Sequence, residues 1–460
     1  MSDKIAKISL EQWDTLYETL QQTACLRSSY DGPLSRHFKA GDLRLAKLKF
    51  DNSQASLRLW NFLLTEEERL HQARAQGIKI VGTMKDLGTV PVMVYSLDDT
   101  IAFYPDGAWW LPCIKENTTE LLKVADSLGV DESFCPVRAM LGAFVTKRHF
   151  PVPDMLISST GATCDDFSVI AQRLENLGFP IFWWEIPHRR PPEPDEVSVS
   201  LPGSFLAAES QVDFVKSQLQ LVSSALEDLT NQQLTDGKLS AGIKKANTVR
   251  SLLDQLRQLV FTAQVAPLPA LEMLVAEMLA IHFCSDQDET IIVLEHLIDE
   301  VRNRIKAGIG TGKSDDARIF WVNPVADLQV MNLLEDCSGR ICGTEYLFSH
   351  ALDLIPDDLP PMDALAQIAI ADPMVGSSAD RAARICRDIR RFGAEAVLIS
   401  RIPGASHCAL EGLVISEIVR SELNIPAVEI EVSPLTDSFQ PTIRTRITAL
   451  VETVKQRRPK

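Results

Sequence analysis

Two stretches of the chain repeat one another around a cysteine. Residues 155 to 164 read MLISSTGATC and residues 397 to 408 read VLISRIPGASHC, and each is followed by a helical stretch and a proline that opens an apolar run, GFPIFWWEIP and NIPAVEIEVSP. Loop glycine, cysteine and proline recur in the same order, so we read an internal repeat. A Leu-Ile-Ser strand end followed by a Gly-Ala loop puts Cys164 and Cys408 beyond the carboxyl ends of parallel strands, where open α/β sheets bind ligands. Each cysteine also falls at the start of a helix. Free N–H groups and the positive helix end lower a thiol's pKa there and stabilise an anionic ligand, a thiolate-bound iron-sulfur cluster included. A third candidate is Cys135 in SFCPVRAML, where Pro136 stiffens the turn and Arg138 adds a positive charge one turn away. Three thiolates from three loops suit a cluster better than structural zinc, which takes four protein ligands. The competing reading is a buried apolar thiol, the commoner case for a cysteine taken singly. For the repeated pair the order of the motif favours ligands.

The elements that would position these loops are legible as apolar runs. IKIVG (78–82), VPVMVYS (90–96), DMLISS (154–159) and FPIFWWEIP (179–187) read as strands, with a helix from Asp165 to Leu177 between the last two. From Ser210 to Lys306 helical periodicity runs without a strand signal. Strand-helix alternation restarts at ARIFWVNP (317–324) and continues through a helix over 379–393, the strand AEAVLIS (394–400), a long helix to Leu423 and the strand IPAVEIEV (425–432). The expected fold is α/β: two flavodoxin/Rossmann-like parallel-sheet lobes with a helical region between them and an N-terminal helical segment. The corresponding boundaries are 1–76 for that segment, 77–205 for the first lobe, 206–312 for the helical region and 313–460 for the second lobe.

The composition narrows the function. Lys and Arg number 46 against 62 Asp and Glu, a net charge of −16, so phosphate backbones and anionic bilayers meet a repelling average surface. Neither nucleic acid nor membrane is an expected partner. The most apolar stretch, Val265 to Cys284, is interrupted by Pro267, Pro269, Glu272, Glu277 and His282. The first twenty residues read as an amphipathic helix rather than a secretory signal, and a cytoplasmic location is expected. The nine cysteines are an odd number with no CxxC spacing, which favours reduced thiols over a disulfide framework.

Taken in order, GTMKDLGTVPVMV, SFCPVRAMLGAF, PDMLISSTGATCDDF, FPIFWWEIPHR, LTDGKLSAGIKKANTVRSLLDQL, ARIFWVNP, PGASHCALE and the closing NIPAVEIEVSPLTDSFQPTIRTRITALVE resemble the 2-hydroxyacyl-CoA dehydratase and benzoyl-CoA reductase subunit family, from about Gly77 to Glu452. The resemblance implies two α/β lobes holding an oxygen-sensitive 4Fe-4S cluster on Cys135, Cys164 and Cys408, with one iron open. It implies a homologous second subunit in a heterodimer or homodimer, an ATP-hydrolysing iron-sulfur activator protein, and an acyl-CoA substrate reduced by one electron, either to eliminate a 2-hydroxyl or to dearomatise a ring. His407 and Arg138 are the candidate catalytic residues, as donors to a developing anion. A capping histidine and a structural ion pair are their plainer readings. The family's proline-glutamate pair after Gly82 is changed here to an aromatic-rich stretch, GTVPVMVYSLDDTIAFYPDGAWW. A changed substrate pocket, or an electron-relaying subunit with no acyl-CoA of its own, would both fit that departure.

Other signals are weaker. Cys337 and Cys342 in DCSGRIC could add thiolates for a double-cubane cluster, the alternative cofactor, in a reductase of small molecules. A cluster-free structural subunit of the same fold is the remaining alternative. AGIGTGKS (307–314) fits a loose phosphate-loop pattern, but a helix precedes it and a strand follows, the reverse of the order that aims a helix N-terminus at phosphate. Cys386 reads as core, and Cys25, Cys113 and Cys284 carry no partner signal. Trp109-Trp110 and Trp183-Trp184 could line a pocket for an aromatic acyl group, although sheet cores commonly take such residues. Glu431 and Arg446 match common family positions and are equally explained as an ordinary strand-end carboxylate and helix arginine.

Overall fold

The fold is described from a computed structural model of the chain, over residues 4–21, 47–84, 88–105, 118–162, 164–347, 351–434 and 440–459. Cys25, Cys113, Trp109 and Trp110 lie outside these residues.

Two four-stranded parallel sheets carry the architecture. The first is built from β1 (Lys79–Met84), β2 (Thr100–Phe103), β3 (Met155–Gly161) and β4 (Ile181–Ile186), in the order β2-β1-β3-β4. The second uses β5 (Ala317–Val322), β6 (Gly339–Glu345), β7 (Ala396–Arg401) and β8 (Ala427–Glu431), in the order β6-β5-β7-β8. The two orders are the same, second-first-third-fourth in chain sense, and the repeated Leu-Ile-Ser segments occupy the same slot: Leu156 to Ser158 in β3 and Leu398 to Ser400 in β7. The expectation of two Rossmann-like lobes is met.

Both faces of the second sheet are covered, which explains its apolar strands. Phe320, Val322, Val397 and Ile399 pack against Ala382, Ile385, Cys386, Ile389, Ile415 and Val419 of the helices Ser378–Phe392 and Gly412–Leu423. The alternate residues Ile319, Trp321, Ala396 and Leu398 join the main core, which also takes Ile443 and Ile447 of the helix Gln440–Arg457. Cys386 is core, as its helical face indicates. The segment 307–314 leaves a helix and leads into β5, so the phosphate-loop order is absent there.

Long helices fill the stretch between the lobes: Glu209–Thr230, Asp236–Thr262, Ala270–His282 and Gln287–Ala307. The first packs on β4 and on the helix Pro361–Ile370, and the second packs on β6 and on the helix Val90–Tyr95, so both bridge elements of the two sheets. Where the chain leaves β4, Arg189 reaches the second lobe's side. It is 6% exposed, stacks on Phe205 and donates to the carbonyls of Ile370 and Asp372.

One local expectation is corrected, and two further elements join the fold. VPVMVYS is not a strand: Val90–Tyr95 is a short helix with proline in its first turn. All of Val90 to Val94 is buried, so no polar face betrays the helical period, and proline at a helix start was the better signal. The strand slot is taken instead by TIAF. In the second lobe the corresponding strand, GRICGTE, carries no expected strand at all. Gly343 adopts φ +132°, and a Cβ there would lie 2.4 Å from the Phe320 ring, so only glycine lets β6 lie against β5. The proline-rich loop after β4 ends in a small hairpin, Ser198–Leu201 with Phe205–Ala208.

The N-terminal segment is held by a buried ion pair. Asp51, fully buried, takes hydrogen bonds from Arg304 Nη1 and Nη2 at 2.9 and 2.8 Å and from Ser56 Oγ at 2.7 Å. Asp51→Ala leaves the Arg304 charge buried without that partner. It is expected to cost about 3 kcal/mol of stability, read as a lower urea midpoint.

Candidate functional site at the carboxyl ends of the sheets

Cys164 and Cys408 follow β3 and β7 at the carboxyl ends of their sheets. Cys164 caps the helix Asp165–Asn176, and Cys408 lies inside a five-residue helix, Ser406–Leu410. Cys135 caps the single 3-10 turn Pro136–Arg138, with proline at its first position. The sequence suggests two cysteine loops facing each other across a cleft. They are instead in direct contact, because Ser406 N–H donates to Asp166 Oδ2 at 3.1 Å and Ser406 Oγ lies 3.7 Å from Cys164 Sγ. The Cys135 loop joins them: its N–H donates to Asp166 Oδ1 at 3.2 Å. Gly404, at φ +80°, presses on the same loop, and a Cβ there would stand 2.6 Å from the Phe134 carbonyl oxygen.

The three thiols influence one another. Burial, then the neighbouring Cys164, pushes the Cys135 thiol well up, and Cys408 adds to it. Burial and Asp166 push Cys164 up to about 11. Burial pushes Cys408 up against the opposing charge of Arg381. Bare thiols in this setting stay protonated, and three thiolates would need a cationic centre to balance them.

Among the described residues, no three His, Cys, Asp or Glu side chains are arranged to hold a single metal ion. A cubane differs, since its thiolates sit on separate irons. Three soft sulfur donors on loops joined by hydrogen bonds fit that kind of centre better than a lone hard ion. The seven described cysteines are all free. Cys342 lies within β6, its thiol against the carbonyls of Phe261 and Phe392, and Cys337 precedes the amino end of that strand. Neither is brought to the carboxyl ends where the other three meet.

A buried polar network supports Cys408 from behind. Asn323, at φ +67° just past β5, donates to the carbonyls of Ser400 at 2.9 Å and Cys408 at 3.4 Å, and accepts from Arg381 at 2.6 Å. Arg381, fully buried, also binds Glu345 and Glu411. Glu411 in turn faces His407, with Nδ1 3.5 Å from Oε1. Burial pushes the Glu411 carboxyl up, but the His407 hydrogen bond and the Arg381 charge outweigh it and hold it at about 2. His407 is therefore oriented by a carboxylate that is itself pinned.

Arg138 is 6% exposed, donates to the Phe134 carbonyl at 3.1 Å and pairs with Asp126 at 3.4 Å. Its visible bonds brace the Cys135 turn. Trp184 is buried, and Trp183 Nε1 donates to Glu175. Glu431 pairs with Arg401, and Arg446 donates to the Glu429 carbonyl. Sequence reasoning missed Asp166, Asn323, Arg381 and Glu411. Asp166 had a faint signal, an acid two residues after a repeated cysteine, but first-turn acids are common on any helix.

Fold and site together define a duplicated α/β protein whose two lobes meet at three cysteine loops. The chain belongs to the family described as 2-hydroxyglutaryl-CoA dehydratase, D-component, whose model matches residues 93–454. It is thus a 2-hydroxyacyl-CoA dehydratase-type enzyme component. A search of curated proteins returns no match. No helix among the described residues is long and apolar enough to cross a membrane.

Two outcomes test the site's packing. Gly404→Ala forces a left-handed alanine against a carbonyl and is expected to lower stability by about 1–3 kcal/mol in urea unfolding. The Glu411 carboxyl has a folded pKa depressed from 4.5 to about 2. Its contribution is present above about pH 4.5 and is lost as pH falls towards about 2, so Glu411→Gln is expected to flatten the acid limb of the urea midpoint plotted against pH.

Proposed function

We propose that the chain is the iron-sulfur subunit of an ATP-activated enzyme that reduces an acyl-CoA thioester by one electron. The family description favours a 2-hydroxyacyl-CoA dehydratase over a benzoyl-CoA reductase-like enzyme. The observation that carries the reading is the meeting of Cys135, Cys164 and Cys408, contributed by both lobes, on loops joined by hydrogen bonds. A 4Fe-4S cluster bound by these residues supplies low-potential single electrons and, with three protein thiolates, one iron open to water or substrate.

The chain's own residues supply the surroundings. Cys135 and Cys164 come from the first lobe and Cys408 from the second, so closing the site requires both lobes. His407, oriented through Nδ1 by Glu411, would hold a proton at Nε2 for an anion developing next to Cys408. Arg138 would add positive charge beside Cys135 while bracing its turn. A homologous second subunit and a separate ATP-hydrolysing iron-sulfur activator complete the system in this reading, and the protein works in the cytoplasm. The placement of Cys337 and Cys342 favours a three-cysteine site over a double-cubane one.

Anaerobically purified protein is expected to hold about four irons and matching acid-labile sulfide per chain, with an electron paramagnetic resonance signal after reduction. Cys135→Ser, Cys164→Ser and Cys408→Ser should each lower the iron content to less than about half, whereas Cys342→Ser should leave it unchanged. Absence of iron after anaerobic reconstitution would overturn the proposal, and about eight irons would replace it with the double-cubane reading.

A further inference from the structure

Asp166 touches all three cysteine loops. Its Oδ1 accepts the Cys135 N–H at 3.2 Å, and its Oδ2 accepts the Ser406 N–H at 3.1 Å and faces the Cys164 thiol at 3.6 Å. It is 6% exposed, and among the described residues these partners are backbone N–H groups and a thiol, with no cationic side chain. The two N–H distances fall at the long end of the N–H···O range, and they give each buried carboxylate oxygen a donor where burial would otherwise leave it unsatisfied. One link stays close to its own helix, one reaches back 31 residues, and one crosses 240 residues into the other lobe.

We propose that Asp166 is the positioning residue that sets the spacing of the three thiols and thereby allows a cluster to be held; this rests on reading Cys135, Cys164 and Cys408 as its ligands. The geometry of a carboxylate is what the role requires. Its two oxygens are fixed in one plane and both are acceptors, and they are met by N–H donors from different loops. Moving one loop therefore shifts the anchor of the others. An amide of the same size cannot replace it, because one oxygen becomes an NH2 donor and meets an N–H donor head on.

The test compares full-length wild-type protein with Asp166→Asn. Hydrogen exchange on metal-free protein reads the Cys135 and Ser406 amides, and iron, sulfide and the electron paramagnetic resonance spectrum are read after anaerobic loading. In the variant at least one of the two amides is expected to exchange about tenfold faster or more, with exchange elsewhere unchanged. Iron content is expected to fall to less than about half, and the residual signal to change its g values or width. Ser406→Pro provides a second route should Asp166→Asn fail to fold. It removes the N–H donor at a first helical position, where proline is tolerated, and keeps Asp166 and all three cysteines. In this variant exchange is read at the Cys135 amide alone, and the same direction of change is expected there, in iron content and in the spectrum.

Wild-type iron content and spectrum in both variants would overturn the proposal even if exchange were faster, since the ties would then be structural only. Unchanged exchange would overturn it as well. Wild-type protein that takes up no iron would overturn the ligand reading and this assignment with it. The two failures are distinguishable because one appears in the wild type and the other only in the variants.

Discussion

The Asp166 carboxylate, accepting a hydrogen bond from each of two loops while facing the thiol of a third, is the interaction on which the site depends. A carboxylate is costly to bury, and among the described residues its partners are main-chain N–H groups and a thiol rather than a cationic side chain. That arrangement has a structural consequence. Side-chain ion pairs tolerate several geometries, but backbone donors cannot move without moving the chain, so the lobes are held where the thiols need them. Gly404 reinforces the constraint, because without a side chain the second-lobe loop can press directly on the Phe134 carbonyl.

Behind this contact the second lobe holds a further set of buried charges. Arg381 joins Asn323, Glu345 and Glu411, and through them the ends of β5 and β6 and the helix region carrying Cys408. Buried ion pairs of this kind contribute little net stability compared with apolar packing, yet breaking one is expensive. Their effect is to allow a single arrangement. The first lobe has Met84 where the second has Asn323, pairing in register with Ser158 as Asn323 neighbours Ser400. The duplicated fold has thus kept its strand order while its two halves differ in polarity at the strand ends, and the added support falls to the lobe that presents Cys408 and His407.

The thiols make chemical sense only in company. Burial makes ionising each one alone unfavourable, Cys164 makes ionisation of Cys135 and Cys408 harder, and Cys408 adds to the effect on Cys135. A cationic centre reverses that balance, since it is stabilised by the same thiolates that repel one another. The matched stretch of the dehydratase-component family, residues 93–454, takes in parts of both halves of the duplication. The region after Gly82 forms a short helix, Val90–Tyr95, with proline in its first turn.

Much of this was written in the sequence. The apolar runs that became β1, β3, β4, β5, β7 and β8 announce a doubly covered parallel sheet, and the repeated Leu-Ile-Ser to Gly-Ala to cysteine order marks matching strand ends, because those signals are local and periodic. The strands TIAF and GRICGTE escaped, one for its brevity and the other for glycines whose purpose, contact with Phe320, lies on another strand. The helix at Val90 escaped because uniform burial erased its period. What only the tertiary structure decided is how distant groups meet. Asp166 with Ser406, Arg381 with Glu345, and Asn323 with the Cys408 carbonyl are separated by 240, 36 and 85 residues. Hydrogen-bond partners at such separations leave no spacing to read, since the first is set by how the two lobes meet and the other two by how the strands and helices of the second lobe pack, not by the chain between them.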